Sequence, residues 1–324
     1  MGEQNKSVRT KPIPMKRLKI PFAITLLVLI SLQLTAIASE FRADPYLMKK
    51  FTLSGAGNLN VETSGSSVAV TGASGNEVVV EMYVKLNGRE IDSEDAEVED
   101  ELDNYNLDIS QSGNTISLIV KRKNNSVRSK MNLSFKIKVP KEMSSKIKSS
   151  GGSIAIEGLK GKQDIATSGG SIQVLNSNGA VNTHSSGGSF RLENFEGNVE
   201  VQSSGGSIKI NHLIGDVLVG SSGGSVTLED ISGSINANTS GGSIKAQLSH
   251  LEKSLSMKSS GGSITAVVPK GLGLNLDLSG GRVNSSLSNF DGEIKKDRIL
   301  GKINGGGIPV TMQSSGGSIN LEFN

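Results

Sequence analysis

Hydroxyl side chains recur in this sequence at one spacing. Ser153, Ser171, Ser189, Ser207, Ser225 and Ser243 are 18 residues apart, and Ser263 follows. Ser168, Ser186, Ser204, Ser222 and Ser240 form a second file with the same step, each preceded by Thr167, Ser185, Ser203, Ser221 or Thr239. Files of hydroxyls have two uses. They can donate to and accept from sugar hydroxyls, or they can satisfy one another and the backbone of tight corners. The second use is favoured here, because strand alternation turns the Thr167 file inward.

Other reactive side chains converge less. His184, His212 and His250 fall at three different phases of the repeat, so they do not stack as a metal site requires. Asp92, Glu94, Asp95, Glu97, Glu99, Asp100, Glu101 and Asp103 form an acidic run, which reads as the solvated face of a helix. Lys121, Arg122, Lys123, Arg128 and Lys130 follow, able to pair with that run or to stand clear of it. Polysaccharide cleavage needs an acidic pair on one face, and Asp164, Glu200 and Asp216 are isolated from other acids. Cysteine and tryptophan are absent, which removes thiolate chemistry, lipid-anchored lipoproteins and the strongest sugar-stacking platform. No catalytic residue, cofactor or metal is expected.

The hydroxyl files are held by glycine pairs, most often written Ser-Ser-Gly-Gly-Ser-Ile. These turn glycines are Gly151 and Gly152, Gly169 and Gly170, Gly187 and Gly188, Gly205 and Gly206, Gly223 and Gly224, Gly241 and Gly242, Gly261 and Gly262, and Gly316 and Gly317. A ninth pair begins at Gly280. The first glycines are spaced by 18 five times, then by 20, 19 and 36, the last reading as two eighteens. Numbered from the first glycine, apolar residues occupy positions 4, 6, 9, 13 and 15: Phe190, Leu192, Phe195, Val199 and Val201 in one coil. Pairs two apart mark short strands with one buried face. Glycines recur at positions 2 and 11, giving two corners per coil. The pattern predicts an all-β, two-sheet parallel β-solenoid of about 18 residues per coil, spaced by about 4.8 Å, with each coil stable only beside its neighbours.

Three other repeat folds fail on particular residues. A triangular β-helix needs apolar residues every six, yet position 10 holds Lys160, Asn178, Glu196, Ile214 and Ser232. A calcium-binding roll needs aspartates where the turns carry apolar residues. An ice-binding face needs aligned threonines, and outward positions 12, 14 and 16 are mixed.

The sequence divides into four segments, the last of them holding the regular coils. Residues 1–38 read as an export signal: Lys16, Arg17 and Lys19, an apolar run from Ile20 to Leu34, then Ala36-Ile37-Ala38. Cleavage after Ala38 is the main reading, and an uncleaved anchor the alternative. Residues 39–87 form an irregular N-terminal coil or cap. Residues 88–138 form an insertion, a short acidic helix capped by Ser93 and a hairpin turning at Gln111-Ser112-Gly113-Asn114. Residues 139–324 are the solenoid, bracketed by Val139-Pro140-Lys141 and Val268-Pro269-Lys270 at corners, with a hairpin protruding near 289–301. The whole chain carries +3, but residues 1–38 hold six basic and one acidic residue. The remainder has 28 basic against 30 acidic residues and offers no footprint for nucleic acid.

The Ser-Gly-Gly-Ser-Ile turns, Val139-Pro140-Lys141, and the late Lys302-Ile303-Asn304-Gly305-Gly306-Gly307 stretch before Gly316 give the chain a resemblance. It resembles the bacterial "putative adhesin" family of β-strand repeats, an exported domain of unknown function. The resemblance spans nearly all of the chain after the signal. It implies a solenoid with adhesive use, no assigned catalysis and no functional residues to carry over. The expectation is an exported, non-catalytic scaffold in the periplasm, on the cell surface or secreted. It would meet an envelope component, glycan or protein, with no nucleic acid and no stable membrane span after cleavage. The alternative is a sensory or regulatory binding module using the acidic helix and the hairpin after Asn289.

Overall fold

Ile172 lies opposite Phe190, Phe190 opposite Ile208, Ile208 opposite Val226 and Val226 opposite Ile244, each pair on adjacent parallel strands. All five are buried. Position 13 makes a second file, with Val181, Val199, Val217, Ile235 and Leu255 in successive register. Each such apolar side chain contributes about 1.5–3 kcal/mol of burial, and that burial depends on the neighbouring strand being in place.

The structure, a computed structural model, describes residues 44–92, 95–124 and 130–324. The export signal at 1–38, Ser93, Glu94 and Arg128 lie outside the described residues. Strand accounts for 69% of the described residues and helix for 3%, an all-β, solenoid-like fold. The described chain begins with β1 (Leu47–Thr52), β2 (Gly57–Thr63), β3 (Ser67–Ala73), β4 (Glu77–Leu86) and β5 (Arg89–Ile91), then helix α1 (Ala96–Leu102). It continues with β6 (Tyr105–Ser112), β7 (Thr115–Arg122), β8 (Met131–Pro140), β9 (Met143–Ser149), β10 (Ile154–Glu157) and β11 (Lys160–Thr167). The long strands β12 (Ile172–Ser185) and β13 (Phe190–Ser203) precede β14 (Ile208–Ile214), β15 (Val217–Ser221), β16 (Val226–Thr239) and β17 (Ile244–Ser259). Last come β18 (Ile264–Val268), β19 (Leu274–Ser279), β20 (Arg282–Ser285), β21 (Phe290–Ile294), β22 (Arg298–Ile303), β23 (Ile308–Ser314) and β24 (Ser318–Phe323).

Parallel pairings fall into two series. One runs β8, β3, β10, then the first halves of β12 and β13, β14, the first halves of β16 and β17, β18, β24 and β20. The other runs β7, β2, β9, β11, the second halves of β12 and β13, β15, the second halves of β16 and β17, β23 and β19.

Both series leave chain order at their ends. The early winding β2–β3 sits between β7–β8 and β9–β10. The final winding β23–β24 sits between β17–β18 and β19–β20. The 36-residue interval from Gly280 to Gly316 is therefore not two stacked eighteens: Val283 and Ile319 are direct neighbours, one level apart and in reversed order. Val139-Pro140-Lys141 and Val268-Pro269-Lys270 mark the two places where the chain steps over the slot of another winding.

Two further expectations change. The hairpin at Ser112↔Thr115 forms, but β7 also pairs in parallel with β2, so its second strand belongs to the stack. The hairpin β21–β22 does not protrude; β22 lies antiparallel along β19. Antiparallel strands likewise close the other end, β4 on β8, β1 on β4 and β6 on β7. Closure by antiparallel strands protects solenoid ends from pairing with other chains. α1 buries Val98, and its N-cap is Asp95, whose side chain accepts from the N–H groups of Glu97 and Val98.

Candidate binding groove

The two glycines of each pair have different surroundings. A Cβ on Gly170, Gly188, Gly206, Gly224, Gly242 or Gly262 would fall on the carbonyl oxygen of the equivalent glycine one winding back. Gly188 and Gly206 also hold φ of +78° and +76°. The first glycines from Gly151 to Gly261 are free of such overlap: a Cβ on Gly205 would come no nearer than 3.8 Å to the Ser186 oxygen. Close backbone stacking thus requires the second glycine alone.

Position 17 finishes the corner from inside. Thr167, Ser203, Ser221 and Thr239 are buried and Ser185 half-buried. The Thr167, Ser221, Thr239 and Ser259 hydroxyls accept from the N–H groups of Gly170, Gly224, Gly242 and Gly262 at 2.9–3.3 Å. Ser185 and Ser203 instead donate to the carbonyls of Gly187 and Gly205. The corner amides of Ser168, Ser186, Ser204 and Ser222 bond to the preceding winding. Position 17 therefore behaves as structural hydroxyls. The exposed serines at positions 3 and 18 make few bonds of this kind, such as Ser207 to Ser189 at 3.3 Å.

Beside this corner runs a groove of about 1380 Å³ that extends from Lys121 and Arg122 to Gln313 and Ser279. Eleven paired strands contribute, so it is about 48 Å long at 4.8 Å per strand. Its rim is the position-18 serines and its floor the position-16 side chains, among them Lys148, His184, Gln202, Asn238 and Lys258. Gly220 interrupts that file, and the Gln202 carboxamide occupies the space where a Cβ there would project. Glu62 is the one carboxylate in the lining and pairs with Lys121 at 2.9 Å. Among the described residues the lining has no Phe, Tyr or Trp. Within it, Lys148 and Lys258 form no ion pair with a described residue.

Of the histidines, His184 reaches the groove, while His212 Nδ1 lies 2.7 Å from Asp230 Oδ2 at the opposite corner. His212 belongs to a position-8 file, Asn176, Asn194, His212 and Asp230, with φ of 50–56°. Asn194 Nδ2 donates to Asn176 Oδ1 at 2.9 Å along that file. Asn, Asp and His tolerate this backbone better than other side chains, a signal present in the sequence and not used there. The position-16 file was also passed over, because its residues are chemically mixed. Among the described residues no three His, Asp or Glu side chains gather as a metal set.

The outward acids are not unattended. Asp164 Oδ2 lies 3.2 Å from Lys162 Nζ, and Asp216 Oδ2 3.0 Å from Lys253 Nζ. The Lys253 hydrogen bond lowers the Asp216 pKa, against an opposing push from burial. Lys253 stands in the bulge made by the 20-residue coil, where the β16–β17 register shifts. Lys121 and Arg122 do not turn to the acidic run: one pairs with Glu62 and the other lies 5.7 Å over Tyr105.

A solenoid-like stack with an open polar groove defines a class of repeat protein, and the family follows from comparison. The chain belongs to the Toastrack DUF4097 family, whose model matches residues 76–322. No curated protein matches it. Among solved structures it is similar to a "putative adhesin" from Bacteroides fragilis, at 14% identity and TM-score 0.42, covering 86% of this chain and 96% of that one. It is also similar to a "putative adhesin" from Parabacteroides distasonis, at 13% identity and TM-score 0.38, covering 85% and 96%. A "putative lipid binding protein" from the same organism matches at 14% identity and TM-score 0.31, covering 86% and 97%. These likenesses carry no functional argument. No described helix is long and apolar enough to cross a membrane.

Proposed function

We propose that this protein is an exported, non-catalytic scaffold, a two-sheet parallel β-solenoid of about 18 residues per coil that holds an extended envelope polymer along its serine-rimmed groove. In this reading residues 1–38 are the signal, 39–87 the N-terminal winding and cap, 88–138 helix and hairpin, and 139–324 the regular coils. The sixteen turn glycines from Gly151 to Gly317 are structural and touch no ligand. The observation that carries the reading is the groove itself, about 1380 Å³ and open across eleven strands. Repetition at one strand spacing suits a repeating partner laid along the stack. The lining offers hydroxyls, carboxamides and two unpaired lysines, which favours a polar polymer over a lipid chain. A single carboxylate, already paired, leaves the groove without the two acids that glycoside hydrolysis uses.

The sensory reading has less support, because β21–β22 is engaged with β19. Co-sedimentation with the envelope fraction of the native cells tests the groove. The triple variant Gln202→Ala, Asn238→Ala, Lys258→Glu is expected to bind at least about tenfold more weakly, the loss of roughly 1.4 kcal/mol. Retained affinity in that variant, with binding lost on deleting 289–301, would transfer the function to the hairpin.

A further inference from the structure

The last strands of the chain are not the last of the stack. β23 is bonded to β17 through Leu255↔Val310 and to β19 through Leu276↔Val310. β24 lies between β18, at Ile264↔Ile319, and β20, at Val283↔Ile319. Val310, Met312, Ile319 and Leu321 are at most 1% exposed. The hairpin closes over the β19–β20 level that lies outside them: Val283 N–H donates to Lys296 O at 2.9 Å and Gly280 N–H to Asp297 O at 3.0 Å.

The chain enters the slot through Asn304, Gly305, Gly306 and Gly307, with φ of 49°, 82°, 89° and 152°. Four consecutive residues with positive φ turn the antiparallel β22 into the parallel β23. The turn is pinned, since Asn304 Nδ2 donates to Leu272 O at 3.0 Å, Asn275 Nδ2 to Gly307 O at 2.7 Å and Ile308 N–H to Gly273 O at 2.9 Å. At the other end Asn324 N–H donates to Val268 O at 3.1 Å, and Lys270 N–H to Asn324 O at 3.2 Å.

We propose that residues 308–323 are a clasp, seated between two earlier windings so that the stack opens through the internal hairpin and never unpeels from its C-terminus. In a solenoid each winding is stabilised by its neighbours, so a terminal winding with one neighbour opens first. This chain gives its C-terminal segment two neighbours and leaves the exposed level to residues 282–303, which are tethered at both ends. Tension on the C-terminus then loads the ladders on both sides of the clasp at once, and forced opening is governed by that barrier. The inference stands whatever the groove binds.

Native-state hydrogen exchange on the full chain tests it. Amides of β23 and β24 are expected to exchange within about tenfold of those in β17 and β18, and at least about a hundredfold more slowly than those of 282–294. Exchange of 308–323 together with or ahead of 282–294 would overturn the clasp. Gly305→Ala is the second arm, since a Cβ there meets nothing within 4 Å and acts through its backbone alone. It should speed exchange of 308–323 by about tenfold, the penalty of one left-handed residue, and leave 172–183 unchanged. Equal acceleration everywhere, or none in 308–323, would count against the proposal.

Discussion

Alanine at Gly206 and alanine at Gly205 differ by one methyl position and should differ in sign. Gly206 has φ of +76°, and a Cβ there would overlap the Gly188 carbonyl oxygen. The left-handed backbone costs an alanine about 1–2 kcal/mol, and relieving the overlap by moving packed backbone about 1–3 kcal/mol. Gly206→Ala should therefore lose roughly 2–5 kcal/mol. At Gly205 the nearest atom to a Cβ is 3.8 Å away, so Gly205→Ala keeps its contacts and gains about 0.4–1 kcal/mol from a stiffer unfolded chain. Thermal unfolding by circular dichroism reads both, at about 2–4 °C per kcal/mol for a chain of this order. The expected shifts are a fall of roughly 4–20 °C and a rise of about 1–4 °C. Equal losses at the two positions would refute the claim that backbone stacking at one glycine, and not turn flexibility at both, fixes the corner.

Three further substitutions probe other parts of the stack. Thr183 is fully buried with its hydroxyl unpartnered, so Thr183→Val should raise stability by about 1–2 kcal/mol in urea unfolding. Asn194→Ala should lose about 2 kcal/mol through its left-handed backbone and its bond to Asn176, and Asn194→Gly about half of that. Asp216 has a lowered pKa, so its contribution is present above the ordinary carboxylate value of 3.8 and is lost as pH falls through the lower folded value. Lys253→Ala should accordingly flatten the fall of Tm between pH 5 and about pH 2, measured by scanning calorimetry.

The interior was legible because it repeats. Phe190, Leu192, Phe195, Val199 and Val201 have counterparts one period on, and strand alternation assigns each to the buried face. Slot order was not legible, and the reason is physical. Ladder bonds are backbone bonds, and windings with the same apolar pattern fit beside any other, so Ile319 suits Val283 as well as Ile264. The markers were there in the two Val-Pro-Lys stretches, each read as a corner, and in the Asn304–Gly307 turn, which served only the family resemblance. The two glycines of a pair look equivalent as letters, and only the approach of the preceding winding separates Gly205 from Gly206. The groove floor was hidden for the opposite reason: Lys148, His184, Gln202, Asn238 and Lys258 share a direction and no common chemistry.

Distances between spin labels test the stacking and its order most directly, because the chain has no cysteine of its own. Gln173→Cys is paired in turn with cysteine at Lys245, Thr265, Asn320 or Asn284, all on one outward file. Backbone separations are expected near 19, 24, 29 and 34 Å in that sequence of pairs, at about 4.8 Å per winding. A label at Asn284 closer to Gln173 than one at Asn320 would contradict the interleaved end, and separations that do not climb by one strand spacing would contradict the stack.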